Sequence, residues 1–153
     1  MNFLKSFKYA YLGVRHCVVY ERNFRFHLCA ALSAVLLSLK YGLSGLQLLV
    51  LYFTIGFVII GEMVNTAIEC IVDIISPEYN PLAKTAKDVA AGSVLIAALI
   101  AVVCAFVLFF KPDKFFAVLG AYVKNPLFWI YTAVCITFIH GGFLKKLQRK
   151  SVK

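Results

Sequence analysis

The order of apolar and polar positions along the chain predicts an amphipathic helix near the N-terminus. In residues 3–25, apolar side chains such as Phe3, Phe7 and Val14 recur at helical spacing, and basic side chains occupy much of the remainder. A helix with this pattern lies in the membrane interface with its apolar face towards the acyl chains. The alternative is an ordinary solvated helix, which needs a soluble core that the rest of the chain does not offer.

Four apolar runs follow, and each is bounded by charged, glycine or proline residues. They cover residues 28–39, 46–75, 89–110 and 126–144. The third run has 22 residues without a charge, which at ~1.5 Å per residue cross the ~30 Å hydrocarbon core of a bilayer. The first run is short for a span, but flanking side chains snorkel and a bilayer thins locally. The second is continuously apolar only as far as Gly61 and then carries acidic residues.

The composition favours a membrane environment. Hydrophobic residues make up 62% of the 153 residues and charged residues 15%, with a mean hydropathy of +0.86. A soluble domain has roughly 45–50% apolar residues, and a fold of this size cannot bury the excess. The same composition excludes disorder. The sequence therefore predicts an all-α integral membrane bundle, with an interface helix followed by four transmembrane helices.

The net charge of +9 indicates a membrane surface as the counter-charge. Basic residues flank the apolar runs, so we expect anionic lipid headgroups as partners and no nucleic acid. With a cytoplasmic N-terminus and four spans, the cytoplasmic side holds five basic residues before the first span, two between the second and third, and five at the C-terminus, against four outside. Because loops rich in Lys and Arg stay in the cytoplasm, we expect both termini and the acidic stretch after Gly61 on that side.

The acidic residues are few and concentrated. The chain has seven, and five of them fall within residues 62–88. Glu62, Asn65, Glu69 and Asp73 are spaced by three, four and four residues, so they share one face of a helix. Carboxylates at a membrane edge are costly unless they are paired, hydrated or metal-bound. Such a stripe suits general-base catalysis and Mg²⁺ binding, or else marks a helix that emerges into water.

Two pairs of charged residues outside the acidic stripe can each be interpreted as part of a binding site or as surface charge. Lys87 and Asp88 open the third apolar run, where a helix N-terminus and a lysine suit a phosphate. Alternatively, Lys84 and Lys87 flank the membrane and pair with the acidic stripe, which leaves Asp88 unexplained. Glu21 and Arg25 are four residues apart, so they form either a surface salt bridge or a site in which Glu21 is a ligand.

Other familiar sites are absent from the sequence. There is no P-loop, no dinucleotide-binding glycine motif and no protein-kinase signature. The five cysteines stand apart without a CxxC pair, so we expect small apolar side chains rather than metal ligands or disulfides. We expect no metal ligand among His16, His27 and His140, and no cleavable signal peptide at the basic, amphipathic N-terminus.

Residues 62–73 resemble a known signature. Glu62-Met63-Val64-Asn65-Thr66-Ala67-Ile68-Glu69, continuing to Asp73, is similar to the E-x-x-N-[ST]-A-I-E-x-x-x-D motif of the prokaryotic diacylglycerol kinase and undecaprenol kinase family. Residues 76–79 and 83–92 resemble the next two blocks of that family, and residues 13–15 and 21–25 match upstream positions. The resemblance covers about residues 3–110.

The resemblance implies a small integral-membrane kinase with three core spans and an interface helix. Family members are homotrimers with active sites shared between subunits at the cytoplasmic surface of the bacterial inner membrane. They transfer the γ-phosphate of Mg-ATP to a lipid hydroxyl. On this basis residues 1–111 form the lipid kinase core, and residues 112–153 add a fourth transmembrane helix with a basic cytoplasmic tail.

The resemblance also implies roles for individual residues. Glu62 would be the general base and contact the acceptor, and Glu21 and Glu69 would hold Mg²⁺ and with it the nucleotide. The other nucleotide-binding positions would be Tyr9, Glu78, Tyr79, Asn80, Lys87 and Asp88. The lipid headgroup would lie at Arg15, Asn23 and Phe24, and Asn65 and Asp73 would support the site.

One departure bears on the acceptor lipid. His27 stands where Gram-negative diacylglycerol kinases have a glutamate, and Phe24-Arg25-Phe26-His27 resembles the Gram-positive undecaprenol kinases. We therefore expect undecaprenol as acceptor, with diacylglycerol as the alternative. Two other classes stay open on the residues alone, a non-catalytic membrane assembly protein and a small transporter with the acidic stripe as an ion path.

Overall fold

The computed structural model describes residues 3–141, which form six α-helices and no strand. In chain order these are α1 (Phe3–Tyr20), α2 (Arg22–Tyr41), α3 (Gly45–Ile75), α4 (Pro81–Phe109), α5 (Pro112–Lys124) and α6 (Pro126–His140). The predicted all-α bundle is confirmed. The basic C-terminal tail lies outside the described residues.

Three helices, α2, α3 and α4, are long and apolar enough to cross a membrane. The 31 residues of α3 and the 29 of α4 measure about 46 and 43 Å at ~1.5 Å per residue, so each reaches through the hydrocarbon and both headgroup layers. The two helices pack along each other, and most of their large apolar side chains are exposed on the protein surface. This surface suits contact with lipid.

Short, well-capped connections join the three long helices. Gly42 ends α2 in the left-handed region at φ 61°, and its N–H donates to the carbonyl of Ser38. Two residues later, Ser44 and Gln47 form a reciprocal capping box that starts α3. Asn80 caps α4, where its side-chain oxygen accepts from two backbone N–H groups ahead of a favourable proline. These caps fix α2, α3 and α4 as consecutive neighbours.

The border between α1 and α2 differs from the prediction. The amphipathic segment ends at Tyr20 rather than residue 25, Glu21 is extended, and α2 begins at Arg22 rather than residue 28. The physical reason is Arg25, whose Nη1 donates to the carbonyls of Val18 at 3.1 Å and Val19 at 3.0 Å. These bonds satisfy the C-terminal end of α1 from the neighbouring helix.

Arg25 also corrects a second expectation. Its guanidinium reaches α6, where Nε and Nη2 donate to the carbonyl of Ile139 at 3.3 and 3.2 Å. With these partners and 5% exposure, Arg25 makes no salt bridge with Glu21. The predicted surface pair is therefore wrong, because carbonyl oxygens from two helix ends occupy the guanidinium.

The C-terminal part contains a helix that the apolar pattern did not predict. α5 covers 13 residues, and it meets α6 at Asn125 with a bend of 83°. α6 has 15 residues and ends at His140, short of the ~17–25 residues of a straight span. Within residues 3–141, the fourth crossing is therefore at most one bent pair, α5 with α6.

α6 packs against α2 through polar contacts. Tyr131 Oη lies 2.8 Å from Ser33 Oγ and donates to the carbonyl of Cys29 at 3.2 Å. The side chains of Cys29 and Cys135 are within hydrogen-bonding reach of each other. Together with the Arg25 bonds to Ile139, these contacts run along both helices in opposite directions, so α6 is antiparallel to α2.

The largest buried apolar cluster lies where α2 ends and α3 begins. It contains Tyr41, Leu43, Leu51, Leu108 and Phe109. The rings of Tyr41 and Phe109 meet edge to face with centroids 5.3 Å apart, a favourable aromatic geometry. This cluster holds the end of the bundle that lies away from the acidic stripe.

Candidate active site

The first of the stripe's acids, Glu62, is buried in the protein at 4% exposure. His27 of α2 approaches it, with Nε2 3.2 Å from Glu62 Oε1. Thr66 is also buried, and its hydroxyl donates to the backbone carbonyl of Glu62 at 3.0 Å. Removing a carboxylate from water costs several kcal/mol unless a partner compensates. The His27 contact supplies that partner from a neighbouring helix.

One turn further along α3, Asn65 and Glu69 form a second polar pair. Asn65 Nδ2 donates to Glu69 Oε1 at 2.8 Å, and both side chains are half-buried. Asn65 Oδ1 is buried and has no hydrogen-bond partner among the residues that the structure describes. Buried polar atoms are normally paired, so this oxygen points to a group that the protein itself does not supply.

At the end of the stripe, Asp73 contacts Lys87 across the α3–α4 pair. The side chains are 67% and 34% exposed, respectively. This contact is the ion pair expected if α3 emerges into water, so that interpretation holds for Asp73. It does not extend to Glu62 and Asn65, whose partners lie in the protein interior.

α1 lies over the site at its C-terminal end. Cys17 of α1 is buried at 4% exposure and lies against the hydroxyl of Thr66. Burial raises the pKa of the Cys17 thiol, although the hydrogen bond with Thr66 acts in the opposite direction. Glu21 follows at the α1–α2 junction, half-buried, and its charge acts on both Cys17 and Glu62. The interface helix therefore brings Glu21 towards the stripe.

The expected nucleotide positions are mostly exposed. Tyr9 and Tyr79 are 65% and 83% exposed, and Glu78 and Asp88 are exposed as well. Asn80 is different, because its side-chain oxygen accepts from the backbone N–H groups of Leu82 at 2.8 Å and Ala83 at 3.4 Å. Its observed role is to start α4.

The expected headgroup positions fall into two environments. Arg15 and Asn23 are exposed near the α1–α2 junction. Phe24 is 1% exposed and is the largest fully buried side chain in the described residues. Phe24 therefore lies in the protein interior near the start of α2.

Sequence reasoning missed the role of His27, which it considered only for metal binding and acceptor preference. The partner, Glu62, is 35 residues away on another helix, and the predicted start of the first span at residue 28 excluded His27 from it. One signal was present, because an ionisable side chain inside an apolar stretch needs a buried partner. Phe26 and Leu28 flank His27 in this way.

A cavity of about 310 Å³ lies between α2, α3 and α4, with His27 among its lining residues. Most of the lining is aliphatic or aromatic, and small side chains on two helices, such as Ala30, Ala34 and Ala101, create the space. A polar pair beside an apolar cavity suits a molecule with one reactive polar end and a hydrocarbon body.

No group of three or more His, Cys, Asp or Glu side chains is arranged to hold a metal within residues 3–141. Mg²⁺ is commonly held by one or two carboxylates together with substrate phosphates. The carboxylate of Glu69 and the unpaired oxygen of Asn65 lie side by side, and both are oxygen ligands of the kind that Mg²⁺ binds.

Comparison with known proteins identifies the family. The sequence model described as "Prokaryotic diacylglycerol kinase" matches residues 8–109, two thirds of the chain. The chain belongs to the prokaryotic diacylglycerol kinase family. The matched region contains α2, α3 and α4 and the whole acidic stripe, whereas α5 and α6 lie beyond it. Membership confirms the resemblance on which the residue roles were based.

Three relatives illustrate the range of names in this family. The chain is 38% identical to "Undecaprenol kinase" of Bacillus subtilis (strain 168) over 71% of this chain and 88% of that protein. It is 39% identical to "Diacylglycerol kinase" of Synechocystis sp. over 72% of this chain and 64% of that protein. It is 34% identical to "Diacylglycerol kinase" of Escherichia coli (strain K12) over 65% of this chain and 82% of that protein.

As a member of the prokaryotic diacylglycerol kinase family, the chain is a membrane-embedded lipid kinase, a transferase that acts on an alcohol group. Kinase membership implies ATP as co-substrate and a lipid as acceptor. The family assignment removes the transporter interpretation of the acidic stripe. It leaves the acceptor lipid and the roles of single residues to be argued from the site.

Proposed function

We propose that this protein transfers the γ-phosphate of ATP to the hydroxyl of undecaprenol, with Mg²⁺ as cofactor. The observation that carries the proposal is the buried carboxylate of Glu62, held by His27 beside an apolar cavity. A lipid alcohol fits this arrangement, because its chain matches the apolar cavity and its hydroxyl would meet His27, which lines the cavity, and Glu62 beside it.

Glu62 is the proposed general base. Phosphoryl transfer requires positioning and charge neutralisation more than covalent help, so one group that accepts the acceptor's proton is sufficient. Glu62 has one oxygen, Oε1, against His27. We assign its second oxygen to the hydroxyl of the lipid.

Glu69 and Glu21 are the proposed Mg²⁺ ligands. Carboxylate and amide oxygens are the ligands that Mg²⁺ prefers, and Asn65 adds its unpaired oxygen next to Glu69. The residues present therefore fit the ion. When bound, Mg²⁺ neutralises charge on the transferred phosphate, and Asn65 keeps Glu69 oriented towards it.

The nucleotide would lie along the exposed ends of α3 and α4. Lys87 supplies positive charge and would exchange its contact with Asp73 for a phosphate oxygen. Because an exposed ion pair contributes little to stability, this exchange costs little. We assign further nucleotide contacts to Tyr9, Glu78, Tyr79, Asn80 and Asp88.

The choice of undecaprenol rests on the surroundings of His27, since relatives with either name are similarly identical to this chain. Diacylglycerol is the alternative acceptor. In both cases Arg15 and Asn23 would contact the acceptor's polar end, with Phe24 behind them.

We also propose the arrangement in the cell. Residues 1–111 form the kinase core and residues 112–153 an added C-terminal segment, in a homotrimer of the bacterial inner membrane. Both termini and the active site face the cytoplasm. The antiparallel docking of α6 on α2 supports this orientation, because it returns the chain to the side where α2 begins.

The test is transfer of labelled γ-phosphate from ATP to undecaprenol and to diacylglycerol, offered separately in mixed micelles with and without Mg²⁺. Glu62→Gln keeps the side-chain volume but cannot accept a proton, so it should lower kcat by ~10²–10⁴-fold. Tyr52→Phe, an exposed position on α3, serves as control. Preference for diacylglycerol would overturn the acceptor assignment, and full activity of Glu62→Gln would overturn the assignment of the base.

A further inference from the structure

We propose that His27 is a positioning residue for Glu62, which holds one carboxylate oxygen so that the other meets the lipid hydroxyl. This inference rests on the proposed function, and it gives the carboxylate on α3 a partner from α2. His27 Nε2 lies 3.2 Å from Glu62 Oε1, and within the described residues no Lys or Arg side chain lies within ion-pair distance of that carboxylate.

Burial makes such a partner necessary, because the Glu62 side chain is only 5% exposed. The carboxylates of Glu21, at the α1–α2 junction, and Glu69, on α3, add like charges. On the α4 side, the buried residues are Ala90 and Val94, which are uncharged. An N–H on His27 Nε2, 3.2 Å from Oε1, favours the ionised form of Glu62, the form that accepts a proton.

His27 is placed to act during turnover and not only to pack. Its side chain is 19% exposed and lines the apolar cavity, whereas the Glu62 side chain is 5% exposed. The packing of α2 on α3 has a separate anchor in the apolar cluster around Tyr41 and Leu51. Loss of the imidazole should therefore change the position and protonation of the Glu62 carboxylate more than the stability of the fold.

The experiment compares His27→Leu with His27→Gln in the purified full-length chain. Gln keeps an N–H donor near the position of Nε2, and Leu removes it. His27→Leu should lower kcat by about 10- to 100-fold, the range typical of residues that orient a reacting group, and leave the KM for ATP within about twofold. His27→Gln should recover most of the loss.

The pH profile separates positioning from packing. Without the imidazole, the buried Glu62 carboxylate loses the polar group at 3.2 Å and holds its proton to a higher pH. The acid limb of the kcat profile should therefore move to higher pH in His27→Leu. His140→Gln, on α6 and exposed, should leave both kcat and the profile unchanged.

A double substitution shows whether His27 acts through Glu62. If it does, adding His27→Leu to Glu62→Gln should lower kcat hardly further than Glu62→Gln alone.

Unchanged kcat in His27→Leu would overturn the proposal. An equal loss of kcat in His27→Leu and His27→Gln, with the acid limb of the pH profile unmoved, would also overturn it. If His27→Leu does not fold, the kcat and pH profile of His27→Gln decide. Failure of the proposed function would be recognised separately, because Glu62→Gln would then keep full kinase activity.

Discussion

Four polar or charged residues are buried in the described part of the chain, and all four make polar contacts inside the protein. Arg25 serves helix-end carbonyls, Ser38 donates to the carbonyl of Val35, and Thr66 and Glu62 belong to the site. A membrane protein has no bulk water in its core to satisfy such groups. Each of these residues is therefore a point where the sequence constrains the fold or the chemistry.

Arg25 provides a test of this view. Arg25→Met keeps much of the side-chain volume but removes the donors to Val18, Val19 and Ile139. Because hydrogen bonds to charged groups contribute ~1.5–3 kcal/mol each, we expect the free energy of unfolding to fall by about 2 kcal/mol or more. The measurement is reversible unfolding in mixed micelles by denaturing detergent, followed by circular dichroism.

Arg22→Met, at an exposed position three residues earlier, is the matched control and should change the stability by less than ~0.5 kcal/mol. A loss of equal size in both variants would show that general basicity, rather than the capping bonds, is responsible.

At this scale the sequence predicted the residues that share one helix and missed those that meet across helices. Periodicity alone placed Glu62, Asn65 and Glu69 on one face, and their side chains occupy the site side of α3. The pairing of His27 with Glu62 depends on how α2 packs on α3. No local pattern encodes that contact, so it required the structure.

At the scale of elements, the length of an apolar run predicts the long helices, whereas the bounds of the short helices depend on capping residues and on contacts with other helices. The predicted second run, 46–75, matches α3 within one residue, because an apolar stretch between a capping box and a proline-rich loop has clear ends. α1 and α2 were wrongly divided because Glu21 carries no strong breaking signal. α5 was missed because its 13 residues are too short and too amphipathic to register as a span.

The docking of α6 on α2 depends on a stripe of polar side chains. Arg25, Cys29 and Ser33 follow one another at four-residue spacing, and they face Ile139, Cys135 and Tyr131. The thiols of Cys29 and Cys135 lie close together, although no sequence pattern pairs them. This proximity makes the docking measurable.

We expect dibromobimane, which fluoresces when it bridges two close thiols, to link Cys29 to Cys135 in a variant whose other three cysteines are replaced by serine. Fluorescence should appear in membranes without added oxidant, and mass spectrometry should recover the linked peptides. Cys29→Ser and Cys135→Ser should each abolish the signal. Bridging no faster than in a Cys29 and Cys104 pair would contradict the docking of α6.

At the scale of the whole molecule, the distribution of charge and the direction of α6 agree. The basic residues predict both termini on one side, and the antiparallel α2–α6 contact brings Gly141 back to the Arg25 end of the bundle. Composition and apolar lengths were sufficient to predict a membrane bundle. The bend of 83° between α5 and α6 lies at Asn125, which caps α6 ahead of Pro126; these residues mark the break but do not set its angle.

The orientation is tested with single cysteines and a membrane-impermeant maleimide on intact spheroplasts. Lys111→Cys, between α4 and α5, should be labelled from outside, and Pro77→Cys, between α3 and α4, only after permeabilisation. Both positions are exposed, so a difference reports sidedness rather than burial. The reverse pattern would overturn the proposed orientation together with the cytoplasmic location of the site.

The length of α3 has a consequence for the fate of the product. Glu62 lies 17 residues after Gly45, about 26 Å along the helix at ~1.5 Å per residue and so close to one edge of the ~30 Å hydrocarbon layer. The acceptor is neutral and can change leaflets, but its phosphate carries a charge of about −1.5 to −2 at neutral pH. Crossing the hydrocarbon is costly even for a single charge. Under the proposed function, phosphorylation at this depth would therefore hold the lipid product in the leaflet where it is made.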